Sequence, residues 1–310
     1  MYHEFFGFRE RPFQLVPNPE YLFLGRCHEE ALAHLKYAIS NGEGFVELTG
    51  EVGTGKTTLC RYFLDSLGED TEAAYIFNPN LNSVELLKAI NDEFEIDSSP
   101  STVKELIGIL NQFLLEKKAE RKNVILLIDE AQNLKRTVLE QIRLISNLET
   151  STQKLIQIIL VGQPELAAML GSHELRQLSQ RITLSCHLYP LTRTETRDYI
   201  FHRIRMASQS PKITLSDAAI NKIYRYARGI PRLINMACDR TFLVAFVQNK
   251  RAITKSEVAF AIQELEQKHI RGKFRKKGAH PLPVYFLLLL CLFLIIYIAF
   301  YRDIAVLFHS

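Results

Sequence analysis

Nine consecutive residues, Gly50, Glu51, Val52, Gly53, Thr54, Gly55, Lys56, Thr57 and Thr58, combine three glycines with a lysine and adjacent hydroxyls. Their spacing is GxxxxGK[ST], in which glycines let backbone N–H groups turn inward around phosphate oxygens. A helix starting directly behind such a loop adds partial positive charge. In that setting Lys56 is expected to reach the β- and γ-phosphates and Thr57 to ligate Mg²⁺. Further along, the apolar run Val124, Ile125, Leu126, Leu127 and Ile128 closes on two carboxylates, Asp129 and Glu130. Ligands bind beyond the carboxyl ends of buried parallel strands. Asp129 is therefore expected to hold Mg²⁺, directly or through water, and Glu130 to act as general base on the attacking water. The two constellations together imply ATP as substrate, with Mg²⁺, and hydrolysis rather than binding alone.

These residues need elements to hold them. Apolar, β-branched runs mark strands at 45–49, 74–78, 124–129, 155–161 and 183–188, with helical patterns between them at 83–94, 102–118 and 134–149. Strands alternating with helices predict a parallel α/β sheet with helices on both faces. Pro190 marks its end. Beyond it the pattern is all-helical. Thr192 with Glu195, and Thr254 with Glu257, have the spacing of capping boxes, and Ser216 is placed to cap a helix ending near Gly229. The expected division is a nucleotide-binding domain over 1–190, a small helical lid over 191–267 and a basic linker over 268–283.

Residues 284–301 form 18 consecutive uncharged positions. A helix of that length is about 27 Å long, close to the thickness of a bilayer core. Tyr285, Tyr297 and Tyr301 stand near its ends, and six basic residues from Lys268 to Lys277 precede it. The positive-inside rule puts the N-terminal side in the cytoplasm. A single-pass transmembrane helix over 284–301 is therefore expected, with a short tail over 302–310 on the far side. The net charge of the 310-residue chain is +4, and without the basic run and the tail the body is slightly acidic. That balance disfavours nucleic-acid binding by a general positive field. The five cysteines are scattered, with no spacing that suggests zinc, and are expected to be reduced.

The order of these motifs resembles the AAA+ ATPases, and more narrowly the bacterial general secretion pathway A-type (ExeA-like) family with its relatives in exosortase and exopolysaccharide loci. Several stretches carry the resemblance: the aromatic and proline-rich segment over 2–21, the segment from Leu24 to Leu32, Asp129 to Leu134 with its continuation over 139–149, and the strand and turn over 155–166. The resemblance implies that residues 24–32 lie near the adenine and that Gln163 acts as sensor 1, orienting water against the γ-phosphate. Gln163 also reads as the start of a turn before Pro164. Arg181, with Arg176 as second candidate, is implied as an arginine finger offered to a neighbouring subunit. Arg232, after Pro231, is implied as sensor 2. The resemblance further implies a homo-oligomeric, hexameric ring at the bacterial inner membrane, with the ATPase domain cytoplasmic, that serves an envelope secretion, pilus or exopolysaccharide export system. The alternatives are a DNA-associated AAA+ regulator similar to transposition ATPases, and a non-hydrolysing nucleotide switch or scaffold.

Overall fold

The computed structural model describes residues 2–77, 80–149, 153–208, 210–277 and Leu290. Five parallel strands, β1 (Phe45–Gly50), β2 (Thr71–Ile76), β3 (Asn123–Ile128), β4 (Gln157–Gly162) and β5 (Ile182–Leu188), form one sheet in the order β2-β3-β4-β1-β5. Their side chains alternate between two cores, as the period of a strand requires. Phe45, Leu126, Ile128, Ile158 and Leu160 point into one core. Helices α4 (Ser83–Glu93), α5 (Val103–Ala119), α6 (Arg136–Ile145), α7 (Pro164–Leu170) and α8 (Arg176–Ser179) cover it. Val46, Leu48, Ile125, Leu127, Ile159 and Val161 point the other way, under α2 (Arg26–Asn41) and α3 (Lys56–Asp65). The expected parallel sheet with helices on both faces is what forms.

The boundaries shift in places. β2 starts three residues before the expected strand. α6 occupies only the middle of the expected 134–149, because Leu134 ends a short 3₁₀ turn and Ser146 closes the helix with its hydroxyl on the Arg143 carbonyl. After Pro190 come α9 (Arg193–Ala207), α10 (Asp217–Ala227), α11 (Pro231–Val247) and α12 (Lys255–Lys277). This region is not purely helical: β6 (Thr214–Leu215) pairs in parallel with β7 (Ala252–Ile253).

The chain begins in this second layer. After α1 (Tyr2–Phe5), the rings of Tyr2, Phe6, Phe8 and Phe13 surround Phe242 of α11, with centroids 5.2 to 6.3 Å away. Backbone bonds from Arg9 to the Ala207 carbonyl and from Lys212 to the Phe6 carbonyl, both 2.9 Å, pin this arm to the layer of helices that follows Pro190, called the lid for its place in the chain. Buried Arg203 of α9 donates to the Pro12 carbonyl at 2.6 Å and stacks its guanidinium 4.7 Å from the Tyr21 ring centre. The chain then runs as a strap to α2, and it returns from the sheet to the lid at Leu191.

The chain divides into two compact units, Met1–Ala261 and Ile262–Ser310. The expected division at 190 runs inside the first. Among the described residues no helix is long and apolar enough to cross a membrane. The expected span over 284–301, apart from Leu290, and the tail over 302–310 lie outside the described residues, as does part of the expected linker.

Candidate functional site

β1, β3 and β4 end side by side, with β4 between the other two. Each delivers one part of the site. β1 runs into the glycine loop, β3 into Asp129 and Glu130, and β4 into Gln163.

Several carbonyls of the loop from Gly50 to Gly55 are held by donors. Lys56 Nζ donates to the Gly50 and Glu51 carbonyls at 2.7 and 3.1 Å. The Arg232 N–H reaches the Gly53 carbonyl at 3.2 Å, and His28 Nε2 lies 3.0 Å from the Thr54 carbonyl. The Thr54 N–H donates back to the Glu51 carbonyl at 3.3 Å, and N–H groups of such a glycine loop that are turned inward suit an anion. Two glycines make the turn possible. Gly53 (φ +85°) and Gly55 (φ +104°) sit in the left-handed region, and a Cβ on Gly53 would lie 2.7 Å from the Arg232 Cβ. Lys56 is buried, and that burial holds its ammonium below the usual lysine range, partly offset by Glu130 and Asp129.

Asp129 is fully buried. Its Oδ2 accepts from Thr57 Oγ1 at 2.7 Å and from the Tyr75 hydroxyl at 3.1 Å, while its Oδ1 accepts from the Glu130 N–H at 2.8 Å. The Tyr75 phenol is itself pushed up, by burial first and then by Asp129. Glu130 adopts φ +53°, a strained conformation for a residue with a side chain. That turn brings its carboxylate to two amides: Gln132 Nε2 at 2.6 Å and Gln163 Nε2 at 3.2 Å, both on Oε2. Gln132 Oε1 in turn accepts from the Gln163 N–H at 3.0 Å.

The loop opens into a cavity of about 220 Å³. Lys56, Thr57, Glu130 and Arg232 line it on the side of the glycine loop, and the strap (Leu15, Val16, Tyr21) with Tyr199 of α9 and Asn235 of α11 lines the other. Arg232 projects from the first turn of α11, whose N1 residue is Pro231. Of the stretch 24–32, His28 borders the cavity. Arg181 and Arg176 do not line it. Arg181 Nη1 donates to Ser146 Oγ at 2.9 Å, and Arg176 is exposed. The structure therefore gathers Lys56, Thr57, Asp129, Glu130, Gln163 and Arg232 and leaves the two arginines apart. Sequence reasoning missed Tyr75, Gln132 and His28. Gln132 had a signal, standing two residues after Glu130; His28 lies in the stretch 24–32 expected near the nucleotide but was not singled out within it, and Tyr75 joins the site only through the fold.

A family model described as an AAA domain matches residues 39–170. Over 266 residues the chain is 45% identical to general secretion pathway protein A of Aeromonas hydrophila, a match covering 86% of this chain and 48% of that protein. The chain thus spans about half the length of the curated relative it matches. Among solved structures it is similar to the Aeropyrum pernix ORC2 protein in its ADPNP-ADP complexes, with TM-score 0.64 and 18% identity over 83% of this chain and 72% of that one. The Aeropyrum pernix ORC1 protein in complex with DNA gives TM-score 0.63 and 19% identity over 87% and 73% of the two chains. The Thermotoga maritima RuvB Holliday junction branch migration motor gives 0.53 and 21% over 81% and 74%. At these identities the structural likeness speaks for the fold alone.

Proposed function

The chain is an AAA+ P-loop protein of the general secretion pathway A type, and from that premise we propose that it hydrolyses ATP at the mouth of the Gly50–Thr58 loop. The observation that carries the proposal is the meeting of Thr57 Oγ1 and Asp129 Oδ2 at 2.7 Å beside that loop, with Glu130 next in the chain. Lys56 would exchange the Gly50 and Glu51 carbonyls for β- and γ-phosphate oxygens. The paired hydroxyl and carboxylate are hard oxygen donors of the kind Mg²⁺ takes, so Thr57 and Asp129 fit that ion. When bound, it supplies charge neutralisation of the phosphate oxygens. Glu130 takes the proton of the attacking water, and Gln163 orients that water. Arg232 answers to the γ-phosphate from the lid.

Arg181 lies away from its own chain's cavity, which suits a residue offered to a neighbour's; Arg176 is the second candidate. A ring of copies, hexameric by family resemblance, follows from that assignment. The span over 284–301 would tether the ring to the inner membrane, with the nucleotide site on the cytoplasmic side. There the cycle of binding and hydrolysis would drive or license assembly of an envelope secretion, pilus or exopolysaccharide export system.

The test is Glu130→Gln. Turnover should fall at least about 100-fold, within the range for loss of a general base. ATP affinity should stay near that of the parent, both measured across protein concentrations and with lipid vesicles present. Parent-level turnover in this variant would take Glu130 out of the mechanism.

A further inference from the structure

His28 stands in the first turn of α2, far from the loop in sequence, and is 97% removed from solvent. Its Nε2 lies 3.0 Å from the Thr54 carbonyl. A carbonyl oxygen only accepts, so Nε2 carries the ring proton. Nδ1 is buried and has no partner among the described residues. A second proton there would be buried without an acceptor, and burial lowers the ring's basicity in the same sense, outweighing the Thr54 bond and nearby Glu195, which raise it. One ring position of this imidazole thus has one task, which is to hold one loop carbonyl.

That carbonyl belongs to the peptide joining Thr54 to Gly55. A trans peptide is planar, and its C=O and N–H point in opposite directions. Fixing the Thr54 oxygen against His28 therefore aims the Gly55 N–H the other way, into the concave side of the loop where phosphate binds. The ring also packs close: a Cβ on Gly55 would lie 3.3 Å from Nε2. Glycine at 55 has φ freedom enough for this peptide to rotate when nothing holds it.

We propose that His28 is a positioning residue for nucleotide binding, setting the Thr54–Gly55 peptide so that the Gly55 N–H is aimed at the phosphates before nucleotide arrives. This rests on the assignment of the loop as the phosphate site. It adds a residue from a separate helix that the GxxxxGK[ST] pattern does not contain. The loop's other held carbonyls are served from within the loop, by Lys56 and Thr54, or from α11, through Arg232; among the described residues His28 alone hydrogen-bonds the loop from α2.

The experiment compares ADP and ATP affinity, by calorimetric titration of the full chain in detergent, for the parent, His28→Leu and His28→Gln. Leucine fills the space without a donor. Glutamine carries an N–H at a reach similar to Nε2. His28→Leu should bind both nucleotides about tenfold more weakly, the scale of one lost hydrogen bond, while His28→Gln stays within about threefold of the parent. Should the leucine variant melt early, His28→Gly with added imidazole replaces it, and imidazole should restore affinity. Equal losses in the leucine and glutamine variants, or no loss in either, or no imidazole rescue, would overturn the inference while leaving the loop's assignment intact. A parent chain that binds neither nucleotide would overturn both.

Discussion

Glu130 shows how much a single residue depends on its neighbours' backbone. It is held at φ +53°, and its Oε2 rests between the amides of Gln132 and Gln163. Gln132 does two things at once, donating to Glu130 and accepting from the Gln163 backbone. Replacing it with leucine removes both bonds without moving Lys56 or Thr57. Gln132→Leu should therefore lower kcat about tenfold, the value of one well-placed hydrogen bond. KM for ATP should change less than twofold, read from steady-state kinetics. A rise in kcat would mean instead that the amide restrains the base. The acidic pair and the loop were legible because their chemistry is local: the spacing GxxxxGK[ST] and a strand closing on two carboxylates are visible in any chain. Tyr75, 54 positions before Asp129, and His28, 26 before Thr54, were not. Nothing in a tyrosine on an edge strand or a histidine on a helix says which distant carboxylate or carbonyl it will meet.

After Pro190 the helix starts were legible from their capping residues. The capping box of Thr192 and Glu195 forms as its spacing implies, Ser216 caps α10 by accepting from the Ala219 N–H, and the Thr254 hydroxyl and N–H both meet Glu257. The sequence could not show that Glu195 has a second client. Its Oε2 accepts from Thr192, while Oε1 accepts from the Arg26 N–H at 2.9 Å, at the start of α2. One carboxylate thus closes the first turns of two helices, one in the lid and one on the sheet. Its acidity is raised by these bonds, which outweigh the burial that opposes them. Glu195→Ala should cost about 2 kcal/mol, twice an ordinary cap, measured by urea denaturation, against about 1 kcal/mol for Thr192→Ala. Equal costs would mean that the bond to α2 contributes nothing. The two-residue strands β6 and β7 were missed for a related reason: strands that short have no periodicity to read, and their pairing joins segments far apart in the chain.

At the scale of the whole chain, the uncharged run over 284–301 and the basic residues before it carry the prediction that the protein is retained by membranes. The full chain should stay with the membrane fraction after alkaline carbonate washing, and a chain ending at Gln267 should not. Full release of the intact protein by carbonate would remove the anchor from the account. The fold class was open to reading because alternating strand and helix patterns admit few architectures. The place of residues 2–13 was not, since aromatic side chains do not name the surface they bury against. Their rings gather around Phe242 of α11.

Among the described residues up to Ala261, the polypeptide therefore passes between these two layers twice, once through the strap and once at Leu191, and both passages border the cavity. The same layers are also joined by hydrogen bonds, from the Arg232 N–H to the Gly53 carbonyl and from the Arg26 N–H to Glu195. Nucleotide bound in the cavity, as proposed, would lie against covalent crossings and hydrogen-bonded ties alike, so that its arrival would be felt on both sides of the cleft at once.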